Sequence, residues 1–290
     1  MPQPAPGAGA GRDRDRGTGP AEMSGAQTAP DAEFTDILYE VDRGAATITI
    51  NRPERRNSLT AHSYREIARA LDLANSDPAV GAIVLTGAGD RAFASGEDLK
   101  VANTLRSEEY RGYLNANVAA RTRMFGLDKP VISRINGACV GGAMSLACTA
   151  DLLVAVDDAR FGQTEINVGM VGGIDHFWTV GRARLAEIML LGRVFTAQEA
   201  LQLGLVNMVV PRSELDAAVR GMVDEILAKS PESIAKTKRM LAFVHQAAGW
   251  NSARAFQFEM VLEAFDSEDR KEGMSAFIEK RRPDYGRGTR

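Results

Sequence analysis

The sequence predicts an α/β protein with a sheet-bearing body and a helical C-terminal part. From residue 37 to about residue 210, short apolar segments with strand character alternate with segments of helical periodicity. Such alternation is typical of parallel sheets built from right-handed strand–helix–strand crossovers. After Ser213 no further strand-like segment occurs, and the remaining apolar residues follow a helical period. We therefore predict a body over residues 34–212 and a helical oligomerisation region over residues 213–290.

Residues 1–33 are predicted to form a disordered extension. They are rich in Gly, Pro and Ala and show no hydrophobic period, so burial cannot offset the entropy that ordering would cost. The segment lacks the apolar core of a signal peptide, and its acidic residues and prolines do not fit a transit peptide.

Composition narrows the class of protein. With 290 residues, 44% of them hydrophobic, the chain is long enough to bury a full core. The net charge of −3 gives no reason to expect nucleic acid or an anionic membrane as partner. No apolar run reaches the length of about 18 residues that a membrane span needs, and no Cys/His spacing matches a metal-ligand set. These features predict a soluble cytoplasmic protein without a bound metal.

Local patterns justify the elements in order. Segments 37–41 and 46–50 flank the turn signal Asp42-Arg-Gly44 and predict a β-hairpin. The patterns further predict strands over 80–86, 131–135 and 152–156, and helices over 63–74, 214–228, 234–248 and 253–267.

The segment from Val131 to Asp151 organises the rest of the chain. It opens as a buried strand, breaks at Gly137, passes through Gly141 and Gly142, and continues as a helix of small apolar residues. A glycine pair between a strand and a helix allows close approach of a ligand, and the first N–H groups of the helix have no internal partner. Such a turn can hold a developing oxyanion, although close helix–strand packing explains such glycines equally well.

Four motifs together resemble the signatures of the crotonase family, the enoyl-CoA hydratase/isomerase superfamily. They are Asn51-Arg-Pro-Glu-Arg-Arg-Asn-Ser-Leu59, Ala92-Phe-Ala-Ser-Gly-Glu-Asp-Leu-Lys100, Asn136-Gly-Ala-Cys-Val-Gly-Gly-Ala143 and Phe161-Gly-Gln-Thr-Glu-Ile166. The motifs occur in the family's order, and the resemblance extends from about residue 34 to residue 285. It implies a spiral of ββα units, a C-terminal trimerisation part, and assembly as a homotrimer or a dimer of trimers.

The resemblance also implies an acyl-CoA thioester substrate and an enolate-like intermediate. The backbone N–H groups of Glu97 and Gly142 would hold the thioester oxygen, and the side chain of Glu97 is then free to face solvent. Coenzyme A would enter as part of the substrate, so no separate cofactor is expected. Contacts from a neighbouring subunit would fall near Phe277 and Lys280, although core packing is the simpler interpretation of Phe277. The substrate-binding positions implied are Arg55, Leu59, Ala94, Gly96, Asp98, Leu99, Lys100, Gly141 and Thr164.

One departure from the family pattern concerns the acid–base residues. Hydratases of this family carry two glutamates, and this chain has Glu165 at the second position but Ser145 at the first. A serine hydroxyl forms hydrogen bonds but has no useful acid–base pKa near neutrality. A single carboxylate suffices to remove a proton at one carbon and return it at another. The sequence therefore favours double-bond isomerisation over hydration, with Glu165 as the acid and base.

Three alternatives remain open. Asp175 and His176 lie where the family usually has a different segment, and they form a candidate acid–base pair, although a histidine beside aromatic residues is commonly structural. The chain could instead be a thioester hydrolase or decarboxylase of the same family. It could also be a non-catalytic RNA-binding or scaffold relative, because Lys236-Thr-Lys-Arg239 places basic residues on a C-terminal helix.

Overall fold

The computed structural model describes residues 34–285, except Asp175 and Ala248. The extension predicted for residues 1–33 lies outside this range and stays a prediction, as do the domain boundaries.

Ten strands form two sheets within the described residues. They are β1 (Ile37–Asp42), β2 (Ala45–Ile50), β3 (Ala82–Gly87), β4 (Ala92–Ala94), β5 (Val131–Ile135), β6 (Ala138–Val140), β7 (Leu152–Val156), β8 (Arg160–Gly162), β9 (Val194–Thr196) and β10 (Met208–Val210). The larger sheet has the order β1-β2-β3-β5-β7-β10, and the smaller sheet has the order β4-β6-β8-β9. Strands pair in parallel except at β1–β2 and β8–β9.

The α-helices alternate with these strands in the body and continue alone at the C-terminus. They are α1 (Ala61–Ser76), α2 (Leu99–Ala102), α3 (Ser107–Phe125), α4 (Gly142–Ala147), α5 (Phe177–Leu191), α6 (Ala197–Gln202), α7 (Leu215–Leu227), α8 (Pro231–Ala247), α9 (Trp250–Asp266) and α10 (Glu268–Glu279). None of the helices within the described ranges is both long and apolar enough to cross a membrane.

The predicted ββα spiral is confirmed. Each of the pairs β3/β4, β5/β6 and β7/β8 sends its first strand to the larger sheet and its second to the smaller one. The two sheets therefore stack turn by turn, and the loops after β4 and β6 end at the same edge. The predicted helical C-terminal part is also confirmed, since β10 is followed by helices through residue 279.

Local chemistry explains why these segments form these elements. In the predicted hairpin, Arg43 and Gly44 both have positive φ, and the strands pair from Ile37 with Ile50 to Asp42 with Ala45. Thr60 caps α1 by accepting a hydrogen bond from the Ser63 N–H. Every residue of β3 is buried, as expected for a strand covered on both faces. Strands β8 to β10 have three residues each, and a segment this short shows no periodicity that could identify it as a strand from sequence.

Candidate active site

The main cavity of the described residues lies between the body and the C-terminal helices and has a volume of about 390 Å³. Its walls come from the loops after β4 and β6, from α3, from the segment after β8, and from α9 and α10. Polar and charged groups share this cavity with apolar side chains. Among the lining residues are Glu97, Tyr110, Tyr113, Gly142, Ser145, Thr164, Glu165, Arg254, Phe258 and Phe277.

Two glycine turns meet at one edge of this cavity. Gly96 has φ +84°, and a Cβ atom added there would lie 2.8 Å from the Val140 oxygen and 3.6 Å from the Gly142 nitrogen. Gly141 has φ +59°, and its N–H donates to the Gly162 oxygen at 2.7 Å. Both positions have a positive φ that favours glycine, and at Gly96 the close approach of the two turns also leaves no room for a Cβ.

The close approach brings the backbone N–H groups of Glu97 and Gly142 to the same cavity wall. The Leu59 N–H donates to the Gly96 oxygen, and the Leu59 oxygen accepts from the Asp98 N–H. The Glu97 N–H takes no part in this β-bridge. Gly142 is the first residue of α4, so its N–H has no partner inside the helix. Neither N–H donates to another group in the part of the chain that the structure describes. The arrangement can therefore present two donors to one oxygen atom.

Glu165 begins a short 3-10 helix, Glu165–Val168, immediately after β8, and it lines the cavity. Its Oε1 atom lies on the side of the Gly141 turn, 3.5 Å from the position that a Cβ on Gly141 would take. The Gln163 amide Nε2 donates to Oε1 at 3.0 Å. An amide donor favours the ionised carboxylate, because that form offers only acceptor positions.

Gln163 is the residue of this site that the sequence analysis missed. It is 1% exposed, and the same Nε2 also donates to the Ser145 hydroxyl at 3.2 Å. Its Oε1 lies 3.2 Å from Nε2 of His176. Its place two residues before Glu165 in the Phe-Gly-Gln-Thr-Glu motif was the available signal. One buried amide thus connects Ser145, Glu165 and His176.

The two remaining catalytic candidates differ in their position. Ser145 lies on α4, is 3% exposed, and contacts the cavity. His176 is buried behind Gln163 and is not part of the cavity wall. Its geometry fits a positioning residue that acts through the amide. Asp175 lies outside the described residues, so the predicted Asp175–His176 pair stays a prediction.

The expectation that the Glu97 side chain faces solvent is wrong. Its Oε1 atom is buried and has no hydrogen-bond partner within the described residues, and its Oε2 atom accepts from the Tyr110 hydroxyl at 3.2 Å. Burial, with a further contribution from the charge of Glu165, raises the pKa of Glu97 from 4.5 to about 8. The Tyr110 hydrogen bond and the charge of Arg270 act in the opposite direction. Burial therefore favours the protonated form of Glu97.

A group of aromatic rings creates this environment. The Tyr110 ring stacks on Phe265 of α9 with ring centres 3.7 Å apart, and it also stacks on Tyr113 at 5.4 Å. Tyr113 in turn meets Tyr64 of α1 edge to face at 5.7 Å. Burial raises the pKa values of all three tyrosines above their usual range, so their hydroxyls remain neutral donors. The Glu97 carboxyl is therefore hydrogen-bonded to one member of a cluster of rings from three separate helices.

The predicted substrate-binding residues occupy different places. Gly96, Leu99, Gly141 and Thr164 line the main cavity, whereas Leu59 and Asp98 face a second cavity of about 190 Å³ that shares Glu97 and Tyr113 with the first.

Arg55, Ala94 and Lys100 are not on either wall, because Arg55 and Lys100 are exposed and Ala94 is fully buried in β4. Arg56, which has φ +52°, lines the main cavity in place of Arg55.

The C-terminal helices close the cavity within the same chain. Arg254 and Phe258 of α9 and Phe277 of α10 belong to its wall. The interpretation of Phe277 as a core residue is wrong, since 63% of the residue is exposed at the cavity. Lys280 ends α10 with φ +57° and is exposed.

Comparisons with known proteins agree with this geometry. The family model for enoyl-CoA hydratase/isomerase matches residues 40–288. The short-chain-enoyl-CoA hydratase of Clostridium acetobutylicum is 34% identical over 262 residues, which cover 86% of this chain and 97% of that protein. 

Solved structures show the same likeness. An enoyl-CoA hydratase/isomerase from Xanthobacter autotrophicus Py2 superposes with a TM-score of 0.79 at 34% identity, covering 86% of this chain and 97% of that one. An enoyl-CoA hydratase from Mycobacterium avium subsp. paratuberculosis K-10 gives 0.76 at 27% identity, covering 84% and 100%. The chain therefore belongs to the enoyl-CoA hydratase/isomerase family, as its four motifs indicate, and it is an enzyme of the lyase or isomerase type.

Proposed function

We propose that this enzyme catalyses the reversible hydration of a 2-enoyl-CoA thioester through an enolate intermediate. The observation that carries the proposal is the convergence of the Gly96 and Gly141 turns on the cavity that also holds Glu165. Coenzyme A is bound as part of the substrate, and no separate cofactor takes part.

The backbone donors supply the electrostatic part of the mechanism. When water adds to C3 of the enoyl group, negative charge develops on the thioester oxygen. The N–H groups of Glu97 and Gly142 stabilise that charge, and each donor is worth about 3–4 kcal/mol in comparable oxyanion holes. Because the donors are held by the backbone of two packed turns, they need little reorganisation when the charge appears.

Glu165 supplies the proton transfer. The Gln163 donor at 3.0 Å orients its Oε1, which lies beside the Gly141 turn. A carboxylate in this position removes a proton from water as its oxygen attacks C3. Positioned acid–base groups contribute about 100-fold to 10,000-fold in rate.

Double-bond isomerisation is the second candidate, and Ser145 is the observation that favours it. With Ser145 in place of a glutamate, Glu165 is the acid–base residue that the family pattern identifies. Isomerisation is favoured only if the cavity contains one carboxyl group, whereas both Glu97 and Glu165 line it. The relative from Clostridium acetobutylicum is a short-chain-enoyl-CoA hydratase, and hydration is therefore the primary proposal.

Assembly as a homotrimer or a dimer of trimers is proposed on the exposed apolar side chains of α8. Four side chains on this helix are more than half exposed: Met240, Leu241, Phe243 and Val244. A surface of this kind is typical of subunit interfaces. Light scattering after gel filtration tests the proposal, and a mass of three or six times 31.2 kDa is expected. A monomeric mass at micromolar concentration would refute it.

The experiment that tests the function assays the purified protein with 2-enoyl-CoA and 3-enoyl-CoA, following hydration and double-bond migration separately. Glu165→Gln is expected to lower kcat for hydration at least 1,000-fold and to change the affinity for a saturated acyl-CoA less than threefold, because the amide keeps the shape and loses the base. Glu40→Gln, on the exposed side of β1, is the control.

Each result has a distinct meaning. Migration without hydration would support the second candidate. Binding of acyl-CoA without either activity would direct attention to hydrolysis or decarboxylation, and salt-sensitive RNA binding without acyl-CoA binding would indicate a non-catalytic relative. Hydration at the wild-type rate in Glu165→Gln would remove Glu165 from the mechanism.

A further inference from the structure

We infer that the side chain of Glu97 is the second proton-transfer group of this site, located on the turn that also provides a backbone oxyanion donor. The inference rests on the proposed hydration. It assigns to one residue two separate roles, one for its N–H and one for its carboxyl group. It also explains how a site with Ser145 on α4 contains two carboxyl groups.

The position of the Glu97 carboxyl supports this role. Glu97 and Glu165 line the same cavity, and the loops that carry them meet where Gly96 packs against Gly141. The two carboxyl groups are close enough for the charge of Glu165 to disfavour ionisation of Glu97. Two titratable groups whose surroundings separate their pKa values are the usual arrangement of an acid and a base.

The hydrogen bonds indicate which oxygen atom carries the proton. Tyr110 donates to Oε2 at 3.2 Å. Oε1 is buried and has no hydrogen-bond partner within the described residues. An unpartnered buried oxygen is costly unless a ligand or proton meets it. A carboxylic acid with its proton on Oε1 has an acceptor for Tyr110 on one oxygen and a donor for the substrate on the other.

Charge adds an independent argument. An ionised carboxylate on Glu97 would lie beside the N–H of the same residue, where negative charge develops in the enolate. Like charges so close would oppose the oxyanion donor. A neutral Glu97, which burial favours, avoids this repulsion. The N–H of Glu97 can therefore donate to the enolate oxygen while its carboxyl group holds a proton.

The proton balance of the step is complete. The water oxygen forms a bond to C3 while its proton passes to the Glu165 carboxylate, and the electron pair of the C2–C3 double bond shifts to form the enolate. When the enolate collapses, C2 takes the proton of the Glu97 carboxyl group. Glu97 is then ionised and Glu165 protonated, and transfer of one proton from Glu165 to Glu97 restores the resting state. Water is the sole reactant consumed besides the thioester.

Glu97→Gln is the test, because glutamine has the shape of the protonated acid and still accepts from Tyr110. We expect kcat/KM for hydration of a 2-enoyl-CoA to fall at least 100-fold at pH 7. The dissociation constant of a saturated acyl-CoA should change less than threefold. The wild-type profile of kcat/KM should lose activity above about pH 8, and this alkaline limb should be absent in Glu97→Gln. Glu40→Gln again serves as the control.

The outcomes separate the inference from the proposed function. If the wild-type protein hydrates 2-enoyl-CoA and Glu97→Gln does so within threefold of that rate, the carboxyl group has only a structural role and the inference is overturned. The same conclusion follows if the variant is slow but keeps the alkaline limb. If the wild-type protein binds acyl-CoA without hydrating any enoyl thioester, the proposed function fails, and the role of Glu97 in it fails as well.

Discussion

Gly96→Ala adds one methyl group at the point where the two oxyanion turns meet. An alanine at φ +84° costs about 1–2 kcal/mol, because the left-handed region crowds its Cβ. The new Cβ would also lie 2.8 Å from the Val140 oxygen. That carbonyl cannot yield easily, since β6 pairs with both β4 and β8 and the next N–H donates to Gly162. The turn carrying Glu97 must therefore move by several tenths of an ångström.

The expected consequence is a misplaced oxyanion donor. Loss of one donor costs about 100-fold to 1,000-fold in rate, so we expect kcat/KM for hydration to fall about 100-fold. The strain of about 2 kcal/mol should lower the melting temperature by about 4–8 °C. Steady-state hydration of a 2-enoyl-CoA and thermal unfolding measure the two effects.

Gly89→Ala provides a matched control for this experiment. Gly89 has φ +76°, so alanine experiences similar backbone strain, but no atom lies within 4 Å of the added Cβ. This variant should lose some stability and keep its activity. If Gly96→Ala hydrates substrate within twofold of Gly89→Ala, the convergence of the two turns does not control catalysis, and the oxyanion assignment is refuted.

Three further predictions follow from the buried polar contacts. Gln163→Met removes the donors to Ser145 and Glu165. We expect kcat to fall about tenfold and the free energy of unfolding to fall by about 2–4 kcal/mol. Unchanged values of both would contradict a role for these two hydrogen bonds. Glu97 is ionised above pH 4.5 in the unfolded chain but only above about pH 8 in the folded chain. As the pH rises between these values, the free energy of unfolding of the wild type should therefore fall, relative to Glu97→Gln, by about 1.4 kcal/mol per pH unit. A difference between the two proteins in urea unfolding that stays constant with pH would contradict this. Lys238→Met removes a buried ammonium 2.6 Å from Asp151. The melting temperature should therefore drop by about 4–8 °C without loss of kcat. A lower kcat would show that the Lys238–Asp151 pair takes part in catalysis.

The sequence alone predicted the architecture because its signals are local. Alternation and turn residues identify the hairpin of β1 and β2, and helical periodicity identifies α1 within two residues at each end. The four motifs predicted the family, and they did so because each contains glycines or turn residues whose spacing depends on backbone geometry. These features require no knowledge of distant contacts.

The surroundings of the site residues could not be predicted in the same way. The sequence places a glutamate at position 97 but does not show that its carboxyl group meets Tyr110 of α3, which stacks on Phe265 of α9. It shows a glutamine at position 163 without revealing that the amide joins Ser145 and Glu165. These contacts join residues far apart in the chain, and only packing brings them together.

The sequence by itself therefore determined the fold class, the family and the position of Glu165, since all three follow from local pattern and motif order. The tertiary structure decided that a second carboxyl group shares the cavity and that its pKa is raised. The physical reason is that a pKa depends on burial and on neighbouring charge, and for Glu97 both come from segments that meet only in the folded chain.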